Sequence, residues 1–178
     1  MSKVVIAGDT SGTGTFTISS PNSNTDRTLV LPDEAGTIDT LQRAGNVLQV
    51  VHGTISTAAS TTSATYSATG ISLSITPSSA SSKILILSRV AVRHQGFNYG
   101  SIRWLRGSTV ISAPSTNYET GVTTAGADVR AVNPYIIFDS PNTTSPVTYS
   151  AQFASYSGTF SVQPDSMITQ TILMEIAA

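Results

Sequence analysis

The 178-residue sequence contains no cysteine, which excludes disulfide bonds and zinc sites built on thiolates. Charge is also scarce, because charged residues make up 11% of the chain, against about 25% in ordinary globular domains. The formal net charge is −1 and no basic run occurs, so the electrostatic footprint of a nucleic-acid-binding protein is missing. No apolar stretch approaches the roughly 20 residues of a membrane helix. We therefore expect neither nucleic acid nor membrane among its partners.

Serine and threonine are abundant instead, at 53 of the 178 residues. Threonine, with valine and isoleucine, favours half-buried pleated strands, and the hydroxyl groups supply solubility without charge. This mixture is typical of a β-protein with uncharged faces, such as one packed into a large assembly. The apolar run at residues 4–6 is too short for a secretory signal peptide. We therefore expect synthesis in a cytoplasm, without an export signal of its own.

From Val47 onward, strand-like runs alternate with turn signals. The sequence predicts strands at 47–56, 70–76, 83–93, 100–106, 109–112, 128–138, 147–156, 159–162 and 167–176. No segment shows sustained helical periodicity, so the predicted fold class is all-β. Several short strands at such spacing indicate a sandwich or barrel. We predict that residues 47–178 form a C-terminal, jelly-roll-like antiparallel β-sandwich.

Two predicted strands are apolar on both faces. Ile84–Leu87 is apolar at every position, and the last strand, 168–176, is similar. A strand of this kind needs cover on both sides. We expect the core to cover one face, and a stem or a neighbouring subunit to cover the other.

Residues 1–46 differ in character and are predicted to be an N-terminal arm or β-stem. Two short strands, 15–18 and 27–31, flank turn chemistry at 21–26. The large apolar side chains of this arm are too few for a core, and an isolated hairpin is at best marginally stable in water. We therefore predict that they form a trimerisation and attachment interface: Phe16, Ile18, Leu29, Leu31 and Ile38.

Two parts of the chain resemble bacteriophage proteins. The segment Gly14–Ile38 carries the pattern T-x-T-I followed by R-T-L-x-L-P-D-x-A-G-T-I, which is similar to a segment of fibre and virion-surface proteins that enters a trimeric stem. The segments 47–51, 70–87, 102–109, 138–149 and 172–176 are similar to a C-terminal β-sandwich module of phage fibre and appendage proteins.

The resemblance implies a homotrimer on the virion surface, with a stem inward and a knob outward. The short arm favours a capsid decoration or cement protein, similar to a head fibre, over a long tail fibre. A short tail fibre or spike whose knob binds a host receptor or glycan is the alternative. The expected partners are other copies of the chain, the major capsid protein or a tail or connector protein, and, in the alternative, a host glycan.

No motif predicts catalysis, a metal or a cofactor. Gly8–Gly12 faintly resembles a serine protease nucleophile motif, but no His and Asp can precede it in triad order. His52 and His94 are far apart and lack a neighbouring ligand at metal-binding spacing. The ten carboxylates are scattered and mostly lie in turn contexts. A glycosidase pair can form in space from distant residues, but we expect no enzymatic activity and predict no catalytic residues.

The segment 94–104 is the best candidate for ligand contact. It is predicted to be a loop that gathers aromatic and planar polar side chains, a combination that suits sugar binding. The candidates for glycan or receptor contact are Phe97, Tyr99, Arg103 and Trp104. The competing interpretation is that Phe97 and Trp104 fill the core, while Arg103 points outward.

Overall fold

The computed structural model describes residues 11–15, 17, 19, 22–26, 28, 43–114 and 119–178. The chain divides into two units, Met1–Thr37 and Ile38–Ala178. In the first unit, the Ser23 hydroxyl accepts a hydrogen bond from the Thr25 amide at 3.1 Å, a serine turn inside the predicted 21–26 turn. The predicted interface residues lie outside the described residues, and their role stays a prediction: Phe16, Ile18, Leu29, Leu31 and Ile38.

The described part of the second unit is almost entirely β-structure. Its strands are β1 (Val47–Ile55), β2 (Ala59–Thr61), β3 (Ser67–Ile75), β4 (Lys83–Arg106), β5 (Thr109–Ser112), β6 (Thr120–Val122), β7 (Asp128–Asp139), β8 (Val147–Val162) and β9 (Thr169–Ile176). All pairings are antiparallel, and the strands join in one sheet. A single 3₁₀ turn, Pro164–Ser166, is the helical element among the described residues. No described helix is long and apolar enough to span a membrane.

The long strand β4 organises the fold. Its first part pairs with β7 on one side and with β9 and the end of β8 on the other. Its second part pairs with β8, and also with β6 and β5. The register shifts between Gln95 and Tyr99, where Gly96 takes φ +74°, a conformation that glycine adopts readily. The sheet thus curls into a first half-sheet (β1, β9, the start of β4 and β7, extended by the end of β8 and β2) and a second (β3, the start of β8, the end of β4, β5 and β6).

One hydrophobic core lies between the two half-sheets. Alternate residues of each strand point inward, as the two-residue period of a strand requires. The buried core comprises Ile71, Ile75, Ile84, Ile86, Val90, Val92, Ile102, Trp104, Tyr135, Ile137, Val147, Tyr149, Ala151, Phe153, Phe160, Val162 and Leu173. The prediction of an all-β antiparallel sandwich is therefore confirmed, whereas trimerisation stays a prediction.

The predicted loop at 94–104 is wrong, because this segment belongs to the continuous strand β4. Its polar residues still have backbone partners on both sides. His94 pairs with Val129 and Phe160, and Gln95 pairs with Asp128 and Thr159. Neighbouring strands therefore hold the chain extended where composition suggested a break. For the same reason, the predicted strands 147–156 and 159–162 form one strand, β8.

Candidate functional site

The outer face of the first half-sheet carries three aligned rows of side chains. Strand register places Val50, Met174, Leu85 and Phe138 side by side across β1, β9, β4 and β7. The next row, two residues along each strand, is His52, Ile172, Leu87 and Ile136. In a third row the only apolar side chain is that of Pro134, and its other members are polar: Thr54, Gln170 and Arg89. We call the first two rows, together with Val132, the apolar face.

The apolar face is open to solvent in a single chain. Ile136 is 78% exposed, Phe138 is 61% exposed and Val50 is 57% exposed. Their sequence neighbours Ile137 and Val51 instead pack on the core. Beside Ile136, a shallow hollow is lined by Leu87, Arg89, Pro134, Gln170 and Ile172. Exposed apolar patches of this extent on a soluble protein mark interaction surfaces.

The outer face of the second half-sheet is polar by contrast. Where β3, β8 and β4 run side by side, the outward residues are Ser72, Ser74, Thr148, Ser150, Gln152 and Arg103. The hydroxyl groups of Ser74 and Thr148 bond to each other at 2.7 Å. Leu105, which also points to this side, is 6% exposed. The same chain therefore builds one hydroxyl-rich outer face and one apolar outer face, and only the polar face is suited to water.

Ion pairs mark one end of the apolar face. Arg93 donates two hydrogen bonds to Asp128, at 2.7 and 2.5 Å, and Arg130 contacts Asp165 at 2.5 Å. The hydrogen bond from Arg93 holds the pKa of the Asp128 carboxyl below its usual range. Arg89 lies closer to the apolar rows and has no acidic partner among the described residues. The apolar face thus has a charged margin at this end.

The four glycan-contact candidates do not form one surface. Trp104 is fully buried in the core beside Tyr135, so its ring is closed to a ligand. Arg103 points outward, donates two hydrogen bonds to Gln152 Oε1 and lies 4.1 Å from the ring centre of Tyr66. Phe97 is 46% exposed and meets the ring of Tyr99 edge-on, with centroids 5.1 Å apart. An accessible aromatic pair therefore exists at residues 97 and 99, away from Trp104.

His94 lies in a buried polar cluster. Its Nδ1 is 2.5 Å from Asn98 Oδ1, its Nε2 is 3.0 Å from Thr120 Oγ1, and its ring stacks on Phe160. Asn98 in turn donates to the Ser155 hydroxyl at 3.0 Å. Burial lowers the pKa of His94 below its ordinary value. His94 therefore contributes to packing, whereas His52 is exposed on the apolar face.

Two further carboxylates also have structural partners. Glu119 accepts from the Ile102 amide at 2.8 Å and from the Tyr135 hydroxyl at 3.1 Å, and partial burial of its carboxyl group raises the pKa. Glu175 accepts from Gln49 and Ser78. Within the described ranges, no three His, Asp or Glu side chains gather as metal ligands would.

Sequence reasoning found only half of the apolar face. The all-apolar runs in β4 and β9 predicted that a second surface covers them. The sequence analysis missed the contribution of β7. In this strand Val132, Ile136 and Phe138 point outward, whereas Tyr135 and Ile137 point toward the core. A period-two reading of that strand would have shown large apolar side chains on both of its faces.

Comparisons with known proteins add a structural likeness. No protein-family model and no curated protein matches the chain. Among solved structures, it is similar to a mutant VP2 protein of infectious bursal disease virus in T=1 particles, with 13% identity and a TM-score of 0.38 over 75% of this chain and 37% of that chain. A VP2 subviral particle of the same virus gives 14% identity and a TM-score of 0.32, over 75% and 39% of the two chains. The chain spans less than two-fifths of the length of these proteins.

Proposed function

We propose that this chain is a structural virion protein, a homotrimeric β-rich projection that decorates or cements the capsid of a phage. The observation that carries an assembly role is the apolar face, since a chain acting alone leaves Ile136 and Phe138 in water. The resemblance of Gly14–Ile38 to trimeric stem segments adds the virion context. In this role the chain is not an enzyme and needs no cofactor.

Several charged side chains of the sandwich bind one another or polar neighbours, as a structural role predicts. Arg106 donates to both Asp139 oxygens at 2.8 Å, and the Tyr149 hydroxyl donates to the same carboxylate at 2.7 Å. Arg103 is likewise held by Gln152 and Tyr66. These groups brace neighbouring strands rather than converge on a cleft. A rigid body with its polar groups committed in this way suits a projection that must keep its shape.

Immunogold labelling of intact phage particles tests the proposal. An antibody raised against the purified protein should label the capsid, and the copy number per particle should match a class of capsid lattice sites. Particles that lack the protein should lose the label and should be rescued when purified protein is added. Absence of label from purified particles would refute the virion role.

A receptor-binding knob is the second candidate, and the accessible Phe97–Tyr99 pair favours it. Aromatic faces suit stacking on sugar rings, and this pair is partly open to solvent. In that case the label should lie on the tail, and purified protein should adsorb to host cells. Phe97→Ala should then reduce adsorption at unchanged thermal stability. Trp104→Ala is unsuitable as a test, because it would empty the core.

A further inference from the structure

We infer that the apolar face is the surface through which copies of this chain contact one another. The inference deepens the proposed function and rests on it, since it takes a second copy as the occupant. The arm remains the predicted stem interface, and the apolar face is an additional contact on the body.

The layout of the face fits the centre of a subunit contact. Its two apolar rows, about 6.6 Å apart across four strands at about 4.8 Å spacing, cover a flat area of roughly 250 Å², and the polar residues around them extend it. A standard interface buries about 800 Å² of accessible surface on each partner and combines an apolar centre with a polar rim. Here the centre is Leu85, Leu87, Ile136 and Phe138, and the rim supplies Lys83, Thr54, Arg89 and Gln170.

The relief of the face is self-complementary. Ile136 protrudes next to the hollow that Leu87, Pro134 and Ile172 help to line. In a trimer whose three copies turn this face toward a common axis, the protruding side chain of one copy can enter the hollow of the next. The charged margin also carries both signs, with Asp128 and Asp165 near the arginines and Arg89 without an acidic partner among the described residues. An oppositely charged group of another copy can therefore meet Arg89.

The contact is made by the face rather than by the strand edge. β7 is an outer strand that pairs with β4, and Pro134 lies in its middle. Proline lacks the N–H that a ladder of hydrogen bonds needs, so it interrupts pairing along this edge. Another copy therefore contacts β7 through side-chain packing on the apolar face, and not through backbone hydrogen bonds along its edge.

The arm of the same chain is the competing occupant. Its five large apolar side chains are spread from position 16 to position 38 among Ser, Thr, Asn and Asp. The apolar face, by contrast, presents two contiguous rows across four strands. A second copy matches this pattern better, because it offers an apolar surface of equal width.

Single-cysteine cross-linking tests the inference on the full chain, which has no native cysteine. Ile136→Cys places a thiol on the apolar face, and Ser74→Cys places a matched thiol on the polar face. With a short bismaleimide, the Ile136→Cys protein should form covalent dimers at least 10-fold more than the Ser74→Cys protein. Equal yields, or no dimers from Ile136→Cys, would overturn the inference and would leave the arm or another protein as the cover.

A second experiment inserts charge on the apolar face. Ile136→Asp with Phe138→Asp should weaken self-association at least 100-fold in light scattering or sedimentation, with unchanged circular dichroism. Ser74→Asp with Thr148→Asp adds the same charge to the polar face and should keep the wild-type mass. A Phe138→Ser variant covers the case in which the double variant does not fold. An oligomer that survives every change on the apolar face contradicts the inference, whereas immunogold labelling of the particle judges the virion role separately.

Discussion

Glu175 is expected to hold one end of the sandwich together, and Glu175→Gln is the most informative stability variant. The carboxylate is fully buried and has three donors. Gln49 Nε2 reaches one oxygen at 2.6 Å, while the Ser78 amide and hydroxyl reach the other at 2.7 and 2.8 Å. The same Gln49 amide donates to the Thr76 carbonyl at 2.7 Å. β1, β9 and the turn after β3 therefore meet at one carboxylate.

Glutamine cannot reproduce this arrangement. Its carbonyl oxygen can accept from Ser78, but its NH₂ group then faces the NH₂ group of Gln49. Turning the Gln49 amide relieves that conflict but sets an oxygen against the Thr76 carbonyl, so one bond is lost in either orientation. Losing one buried bond and the charge assistance of two others should cost about 3 kcal/mol at pH 7.

The assay is thermal and urea unfolding at fixed protein concentration, because self-association shifts apparent stability. A loss of this size lowers the Tm by about 10 °C. Burial alone would raise the pKa of Glu175, but its hydrogen bonds lower the pKa below the ordinary value. The contribution of the charged form is therefore complete above the unfolded-state pKa, near 4.3, and is lost as pH falls through the folded-state value. The reasoning fails if Glu175→Gln costs less than 0.5 kcal/mol at pH 7 (roughly a third of one hydrogen bond), or if its cost does not shrink in acid.

Two further predictions concern the centre of the fold. Burial lowers the pKa of His94, so as the pH falls this histidine is protonated in the unfolded chain before it is protonated in the folded one. The free energy of unfolding should therefore decrease as the pH drops below about 6.5. His94→Gln should reduce this pH dependence, measured by urea unfolding from about pH 7 to about pH 5. Gly100→Ala should destabilise by about 2 kcal/mol, because its new methyl group would lie 2.5 Å from Phe160 Cδ1. Gly107→Ala, which meets nothing within 4 Å and strains only a φ of +56°, is the control and should cost about 1 kcal/mol. Equal losses for the two alanine variants would contradict the crowding at Phe160.

Local pattern was sufficient to predict most of the sandwich. The predicted strand 70–76 corresponds to most of β3, and the predicted strand 109–112 corresponds to β5 to the residue. Local pattern was insufficient where neighbouring strands decide. His94, Gln95 and Asn98 resemble loop residues in composition, yet ladders on both sides keep them in β4. The three-residue strands β2 and β6 likewise depend on their partners and carry little signal of their own.

The candidate site was harder to predict because it depends on register. The all-apolar runs predicted that both faces of β4 and β9 are covered by other parts of the protein or by a neighbour. They did not predict which side chains lie next to one another. The rows that join Leu87 to Ile172 and Ile136 exist only once β9 and β7 have been placed beside β4. The aromatic residues at 97–104 also looked alike in sequence. Strand alternation and the bulge then separated buried Trp104 from exposed Phe97.

The edges of the first half-sheet bear on the kind of assembly that the apolar face can build. β1 and β7 are its outer strands, and open edges invite unlimited strand addition. Pro134 interrupts the edge of β7, and the start of β1 carries an irregularity between Val47 and Gln49 in its pairing with β9. With the edge of β7 interrupted and the face apolar, association through β7 is directed to side-chain packing. Packing of this kind can be satisfied within a closed symmetric oligomer, whereas edge pairing would propagate. The placement of proline and of the irregularity is thus what a finite oligomer, rather than a growing fibre of strands, requires.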